Sequence, residues 1–176
     1  MAAPAHAQLG SNDSFLTRAQ QAANAHGYQL DSAQVRACNE LERLYAQLIE
    51  RERNGRSLWR LFRRERPPRG VYLWGGVGRG KTFLMDVFFA SIPLQRKSRV
   101  HFHRFMQHIH QRLRALQGQT DPLHIVGREL AERGQLLCVD EFHVTDIGDA
   151  MIMRNLLEAL FDNQVVLVTT ANWSPD

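Results

Sequence analysis

The stretch GGVGRGKT at residues 75–82 decides how the rest of the chain is interpreted. It lies between two short apolar runs, VYLW at 71–74 and FLMDVFF at 83–89, which we interpret as a strand and a helix. This spacing of glycines, lysine and threonine is the full pattern of a phosphate-binding loop, in the strand-to-helix context that the pattern requires. Its glycines allow backbone N–H groups to point at phosphate oxygens, and the helix N-terminus adds a favourable dipole. The candidate nucleotide-binding residues are Gly75, Gly76, Val77, Gly78, Arg79, Gly80, Lys81 and Thr82.

The last two residues of this loop predict which ligand it holds. We expect Lys81 to reach the β- and γ-phosphates of a nucleotide and Thr82 to coordinate magnesium through its hydroxyl. The simpler alternative is a glycine-rich turn with an incidental lysine, and the complete pattern argues against it. The loop therefore predicts a nucleoside triphosphate with magnesium. It does not predict the reaction, because kinases, GTPases, transporters and motors share it.

Polar residues at the ends of two later strands narrow the chemistry. In LLCVDEF, at residues 136–142, Asp140 and Glu141 end an apolar strand, where ligands bind in open parallel sheets. We expect Asp140 to hold magnesium, usually through water, and Glu141 to activate a water molecule as general base. A loop with a helix cap is the alternative. In VVLVTTANW, at 165–173, Asn172 is expected beside the γ-phosphate, although asparagine is also common in turns.

Length and composition suit one domain with an N-terminal extension, at 176 residues and 44% hydrophobic. The net charge of +4 permits acidic partners such as nucleotide phosphates, nucleic acid or an acidic protein tail, without selecting among them. Cys38 and Cys138 are far apart and support neither a disulfide scaffold nor a zinc site, so we expect reduced thiols and a cytoplasmic location. No apolar run approaches the ~18 residues that span a bilayer. A soluble protein without a transmembrane segment is expected.

Strand and helix patterns alternate after residue 70. Strands are predicted at 71–74, 99–103, 136–140 and 165–169, and helices at 81–90, 105–116, 121–134 and 147–161, after an amphipathic helix that begins near Asp31. This alternation predicts an α/β fold with a parallel sheet covered on both faces. We divide the chain into a disordered or partly helical tail (1–30), a helical and arginine-rich extension (31–70) and a partial P-loop core (71–176). The arginine-rich stretch 56–70 is interpreted as a solvated connector, with a nucleic-acid or partner surface as the alternative.

Histidines and tryptophans offer further candidates for function. Four histidines lie in HFHRFMQHIH at residues 101–110, where His101 and His103 would share a strand face while His108 and His110 diverge on a helix. We therefore favour polar packing or an interface over a metal site. Core or interface anchoring is expected, rather than base stacking, of Trp59, Trp74 and Trp173.

The order of loop, acidic pair and polar strand end resembles the AAA+ ATPases. Four segments resemble one family more closely, the ZapE/AFG-like ATPases: GVYLWGGVGRGKTFLMDVFF, RVHFHRFMQHIH, LLCVDEFHVTDIGDAMIM and VVLVTTAN. The resemblance runs from about Tyr28 to the last residue and implies an AAA+ fold, ATP hydrolysis, oligomeric rings and, for bacterial members, association with the division protein FtsZ. It implies that residues 75–82 are the Walker A loop, Asp140 and Glu141 the Walker B pair, and Asn172 the first sensor.

The sequence departs from the family pattern where it stops, at Asp176. The resemblance implies a strand order of 5-1-4-3-2, with the fifth strand, the arginine finger, the second sensor and the helical lid lying beyond this sequence. We therefore expect the strand before the loop to lie at an open sheet edge. Weak hydrolysis by the chain alone is also expected, because arginine fingers contribute roughly 10³ to 10⁵ in rate.

Three functions remain open at this point. The favoured one is a Mg-ATP-dependent AAA+ ATPase that remodels a protein partner in cell division. The second is a catalytically silent nucleotide-binding fragment that associates with full-length subunits or a partner. The third is a DNA-handling ATPase similar to helicase loaders, whose nucleic-acid binding would weaken steeply with salt.

Overall fold

The computed structural model describes residues 13–54 and 67–174. Two helices, α1 (Phe15–Ala25) and α2 (Ser32–Asn54), precede a core of alternating strands and helices. The core consists of β1 (Val71–Trp74), α3 (Lys81–Ser91), β2 (Lys97–His101), α4 (Phe102–Ala115), α5 (Pro122–Arg133), β3 (Leu136–Asp140), α6 (Ile147–Asp162) and β4 (Val166–Ala171). In the part of the chain that the structure describes, no helix is both long and apolar enough to cross a bilayer.

The four strands form one parallel sheet in the order β1-β4-β3-β2, which confirms the predicted α/β fold. Strand β1, which leads into the glycine loop, lies at one edge, as the implied strand order predicted. The register pairs Trp74 with Ala171, so the carboxyl ends of β1 and β4 meet at the same rim of the sheet. Polar residues that follow these strands are therefore gathered at that rim.

Two layers of helices cover the sheet, and alternate residues of each strand face one or the other. In β3, Leu136 and Cys138 pack into the core formed with α1, α2 and α3, whereas Leu137 and Val139 pack against α4, α5 and α6. Side chains two residues apart share a face of a strand. Asp140 therefore lies on the same face as Cys138, the face that α3 covers.

The N-terminal helices are part of the packed structure. Phe15 of α1 is buried, and its ring packs edge-on against Phe88 of α3 with the ring centroids 5.8 Å apart. The backbone N–H groups of Phe15 and Leu16 donate to the Glu42 carboxylate of α2. The sequence placed residues 15–25 in a disordered or partly helical tail, and here they form a helix that contributes to the core. Residues 1–12, most of the arginine-rich stretch and Trp59 lie outside the described residues.

The predicted boundary between β2 and α4 is wrong. Strand β2 ends at His101 and α4 begins at Phe102, so His103 belongs to the helix and does not share a strand face with His101. The reason is a row of apolar residues at helical spacing, including Phe105 and Ile109, which are buried against the second core. That buried row extends the helical pattern to the end of the strand.

Candidate nucleotide-binding site

The glycine-rich loop at residues 75–82 has a backbone that only glycine adopts readily. Gly75, Gly78 and Gly80 have φ angles of 145°, 77° and 71°, in the positive-φ region that L side chains disfavour. Gly80 is the N-cap of α3 and offers no side chain to bond the first N–H groups of the helix. An uncapped helix N-terminus carries unsatisfied donors and a partial positive charge, and both attract anions.

The Lys81 side chain lies across this loop. Its ammonium group donates to the carbonyl oxygen of Gly75 at 2.7 Å and to that of Gly76 at 2.8 Å. Partial burial lowers the pKa of Lys81 from its ordinary value. The loop thus combines a flexible cation with the exposed donors at the start of α3, which is an arrangement suited to phosphate.

Asp140 is held at the end of β3 by two side chains. Its carboxylate is only 2% exposed, and its Oδ2 atom accepts a hydrogen bond of 2.7 Å from Arg99 Nε. Its Oδ1 atom lies 3.4 Å from the Thr170 hydroxyl. The Arg99 guanidinium also pairs with Asp86 on α3. Asp86 lies one helical turn after Thr82, so these contacts link the end of β3 to the first turns of α3.

The two predicted magnesium ligands fit that ion chemically. Hydroxyl and carboxylate oxygens are ligands of the hard kind that magnesium prefers, and magnesium is usually held by few protein groups, with waters and substrate phosphates completing its shell. Thr82 is exposed at the start of α3. The Asp140 carboxylate is linked to the same helix by Arg99, which contacts both Asp140 and Asp86. The donor set is therefore compatible with magnesium bound beside the loop.

Glu141 and Asn172 are brought together at the rim of the sheet. Both line a cavity of about 620 Å³, together with the stacked rings of His143 and Trp173. Glu141 has a left-handed backbone, with φ of 55°, and its N–H group donates to Thr170 Oγ1 at 2.9 Å. The structure thus places the predicted general base and the predicted sensor at one opening.

A second cavity, of about 510 Å³, adjoins the glycine loop. It is lined by the start of α2, by β1 and by Gly75 and Lys81, and its volume lies in the range of small-ligand sites. Gln34 of α2 borders it and donates from Nε2 to the carbonyl oxygen of Arg79 at 3.1 Å. The N-terminal helix α2 therefore contacts the loop directly.

Three residues of this region were not predicted from the sequence: Gln34, Arg99 and Thr170. Each had a partial signal. A glutamine three residues after Asp31 fits a capping box, an arginine lies in the middle of the predominantly polar strand β2, and a hydroxyl in the buried run VVLVTT requires an interior partner. None of these signals identifies the partner, because each contact joins distant parts of the chain.

The tryptophans that the structure describes are not core residues. Trp74 is 57% exposed and Trp173 is 65% exposed, so of the two expected roles the core anchor is wrong for both, and the interface anchor stays a prediction. Edge strand β1 turns Trp74 away from the buried face, and Trp173 follows the last strand at the rim. The backbone carbonyl of Trp173 accepts a hydrogen bond of 3.2 Å from Tyr72.

Sequence comparison relates the chain to known proteins. A family model described as AFG1-like ATPase matches residues 14–176. The chain is 46% identical over 168 residues to the Cell division protein ZapE of Escherichia coli (strain K12), covering 88% of this chain and 44% of that protein. It is 44% identical over 121 residues to Lactation elevated protein 1 homolog B of Danio rerio, covering 62% of this chain and 24% of that protein. The chain thus spans less than half the length of these relatives.

Solved structures share the fold at low sequence identity. The crystal structure of DnaI superposes with a TM-score of 0.56 at 16% identity, over 90% of this chain and 76% of that chain. AMPPCP-bound DnaA from Aquifex aeolicus superposes with a TM-score of 0.55 at 16% identity, over 85% of this chain and 42% of that chain. Such likeness supports the P-loop AAA+ fold alone. The family match over residues 14–176, together with the 46% identity, shows that this chain belongs to the AFG1-like ATPase family.

Proposed function

We propose that this chain binds Mg-ATP at the loop of residues 75–82 and hydrolyses it. The observation that carries the proposal is the uncapped N-terminus of α3, with the Lys81 ammonium lying across the glycine loop in front of it. Membership of an ATPase family supports the same reaction. The buried Asp140 carboxylate beside α3 supports magnesium as the accompanying ion.

The loop and the first turn of α3 would bind the phosphates. Their N–H groups donate to phosphate oxygens, and Lys81 exchanges its bonds to the Gly75 and Gly76 carbonyls for bonds to the β- and γ-phosphates. Thr82 and Asp140 would hold magnesium, which when bound neutralises charge on the β- and γ-oxygens. We propose ATP rather than another nucleotide because the chain belongs to an ATPase family. The loop itself would contact only the phosphates, so it does not distinguish between bases.

Glu141 and Asn172 would act on the water that attacks the γ-phosphate. Glu141 accepts a proton from that water as general base, and the Asn172 amide orients it. Thr170 fixes the Glu141 backbone through a 2.9 Å hydrogen bond, so the base is held in place from the neighbouring strand. Both side chains line one opening at the sheet rim, which supports a shared water as their target.

The wider role is proposed from the relatives. ZapE is named as a cell division protein, and we propose that the whole protein to which this chain corresponds remodels a protein partner there, in the cytoplasm. Self-association into a ring and an FtsZ-type partner belong to the same proposal. This chain spans 44% of ZapE, so these properties, and full turnover, are proposed for the whole protein.

The test measures ATP binding and ATP turnover in the same samples of this chain with magnesium. In Lys81→Ala we expect affinity for ATP to fall about tenfold or more, because a charge-assisted contact to phosphate is lost. In Glu141→Gln we expect binding to persist and turnover to fall about 100-fold. Arg154→Ala is the matched control, because Arg154 pairs only with Glu158 on the exposed face of α6 among the contacts described.

Three outcomes would contradict all or part of the proposal. Absence of ATP binding by the unaltered chain would remove the proposed site. Turnover that survives Glu141→Gln would assign water activation to another residue. Lys81-dependent binding with background turnover would support the silent nucleotide-binding alternative for this chain.

A further inference from the structure

Arg99 forms an ion pair with Asp140, the carboxylate that we assign to magnesium. Its Nε donates to Asp140 Oδ2 at 2.7 Å, and its Nη1 pairs with Asp86 on α3. The Asp140 side chain is 2% exposed, whereas that of Asp86 is 54% exposed. A buried carboxylate needs a compensating charge, but the exposed Asp86 is solvated and does not. The two partners of Arg99 therefore depend on it to very different extents.

The strand geometry places Arg99 within reach of both acceptors. Arg99 is in register with Cys138 in the neighbouring strand β3, and Asp140 lies two residues further along the same face. Asp86 approaches from α3, which covers that face. The guanidinium therefore lies between the strand end and the helix and contacts both carboxylates at once.

Lys97 shows what a purely structural cation looks like on the same face of β2. Its ammonium donates to the carbonyl oxygens of Phe89 and Ile92, at the C-terminal end of α3, where positive charge is favourable. It contacts no carboxylate among the described residues. Arg99, two residues along, uses its donors on a predicted metal ligand instead.

We propose that Arg99 is the counter-ion of Asp140 in the absence of magnesium, and that it moves fully onto Asp86 when magnesium takes up Asp140. Two cations on one buried carboxylate repel each other, so magnesium binding displaces the arginine. Asp86 makes this displacement less costly by retaining the guanidinium. Arg99 and Asp86 are therefore positioning residues that set how strongly magnesium strengthens nucleotide binding. The inference rests on the proposed Mg-ATP function.

The quantity to measure is the dissociation constant for ATP in EDTA divided by that in saturating magnesium, which is the coupling between the two ligands. In Arg99→Gln this ratio rises roughly threefold, because no cation has to be displaced. In Asp86→Asn it falls by a similar factor, because the displaced arginine loses its second acceptor. In Lys97→Gln, the matched control, stability falls and the ratio is unchanged.

The double variant Arg99→Gln/Asp86→Asn separates this mechanism from direct electrostatics. If Asp86 acts through Arg99, Asp86→Asn has no further effect on the ratio once Arg99 is gone. The inference is overturned if the two substitutions have additive effects on the ratio in the double variant. It is also overturned if the two single variants shift the ratio equally in the same direction, or do not shift it. If Arg99→Gln does not fold, Asp86→Asn decides alone, and an unreduced ratio overturns the inference. Failure of the unaltered chain to bind ATP overturns the proposed function and this inference together, whereas binding with unshifted ratios overturns this inference only.

Discussion

The hydroxyl of Thr170 joins β4 to the turn that follows β3, by accepting a 2.9 Å hydrogen bond from the backbone N–H of Glu141. The same hydroxyl lies 3.4 Å from Asp140 Oδ1. One buried side chain therefore holds both members of the acidic pair, and Glu141 has a left-handed backbone that most residues avoid without such support. The position of the proposed general base depends on a neighbouring strand.

Replacing Thr170 tests this dependence. Thr170→Val keeps the shape but leaves the Glu141 N–H without its partner, and we expect turnover of ATP to fall about tenfold through misplacement of the base. Thr170→Ser keeps the hydroxyl and loses one buried methyl group. Both variants should lose about 1 kcal/mol in urea unfolding, and turnover should fall in the valine variant only. Equal turnover in the two variants would show that the hydroxyl does not position Glu141.

Gln34 has two separable contacts at the start of α2. Its side chain and that of Asp31 cap each other's backbone N–H groups, both at 2.8 Å, and its Nε2 also donates to Arg79 in the glycine loop. Asp31→Ala and Gln34→Ala should each lower the free energy of unfolding by about 0.5–2 kcal/mol through the lost cap. Only Gln34→Ala should weaken ATP binding, because only this variant releases the loop. Equal affinities for ATP in the two variants would limit Gln34 to a capping role.

Helices α5 and α6 pack closely at Gly127. A Cβ atom at this position would lie 2.6 Å from the Cβ of Ala159, well inside contact distance. Gly127→Ala should therefore destabilise the fold by about 1–2 kcal/mol in urea unfolding, because overpacking outweighs the gain in helix propensity.

The compensating change is Ala159→Gly. In the double variant the clash is removed, and part of the lost stability should return despite the glycine in α6. If the double variant loses more free energy of unfolding than the two single variants lose together, the two positions do not compete for the same space.

The two cysteines are buried and should be unreactive in the native state. Burial raises the pKa of Cys138 to about 12, and burial with the nearby Glu42 raises the pKa of Cys38 to about 11. Because the thiolate is the reactive form, iodoacetamide at pH 8 should label neither thiol until the protein unfolds in urea. Rapid labelling of the native protein would contradict the burial.

The same shift predicts how stability depends on pH. A thiol whose pKa is raised on folding stabilises the native state fully below the unfolded pKa of 9.0, and this contribution is lost as the pH rises from 9.0 towards about 12. Above pH 9, the free energy of unfolding of Cys138→Ala should therefore fall less steeply with pH than that of the unaltered chain. Parallel profiles for the two proteins would show that the thiol does not contribute.

The sequence alone was sufficient for the features that depend on local chemistry. The glycines of residues 75–82 predicted the loop, three of them have positive φ angles that exclude most side chains, and Lys81 began α3 as expected. The short apolar runs separated by helical patterns predicted four parallel strands. The predicted limits of β1 and β3 agree with the structure, since polar or glycine residues end each run.

Contacts between distant parts of the chain were decided only by the tertiary structure. Gln34 reaches Arg79 across 45 positions, Arg99 reaches Asp140 across 41, and Thr170 reaches the Glu141 backbone across 29. Each depends on which strands are neighbours, on their register and on which helix covers which face, and local periodicity encodes none of these. The sequence thus determined which residues are predicted to bear the chemistry, and the folded sheet determined which side chains hold them, because strand order brings those partners within hydrogen-bond distance.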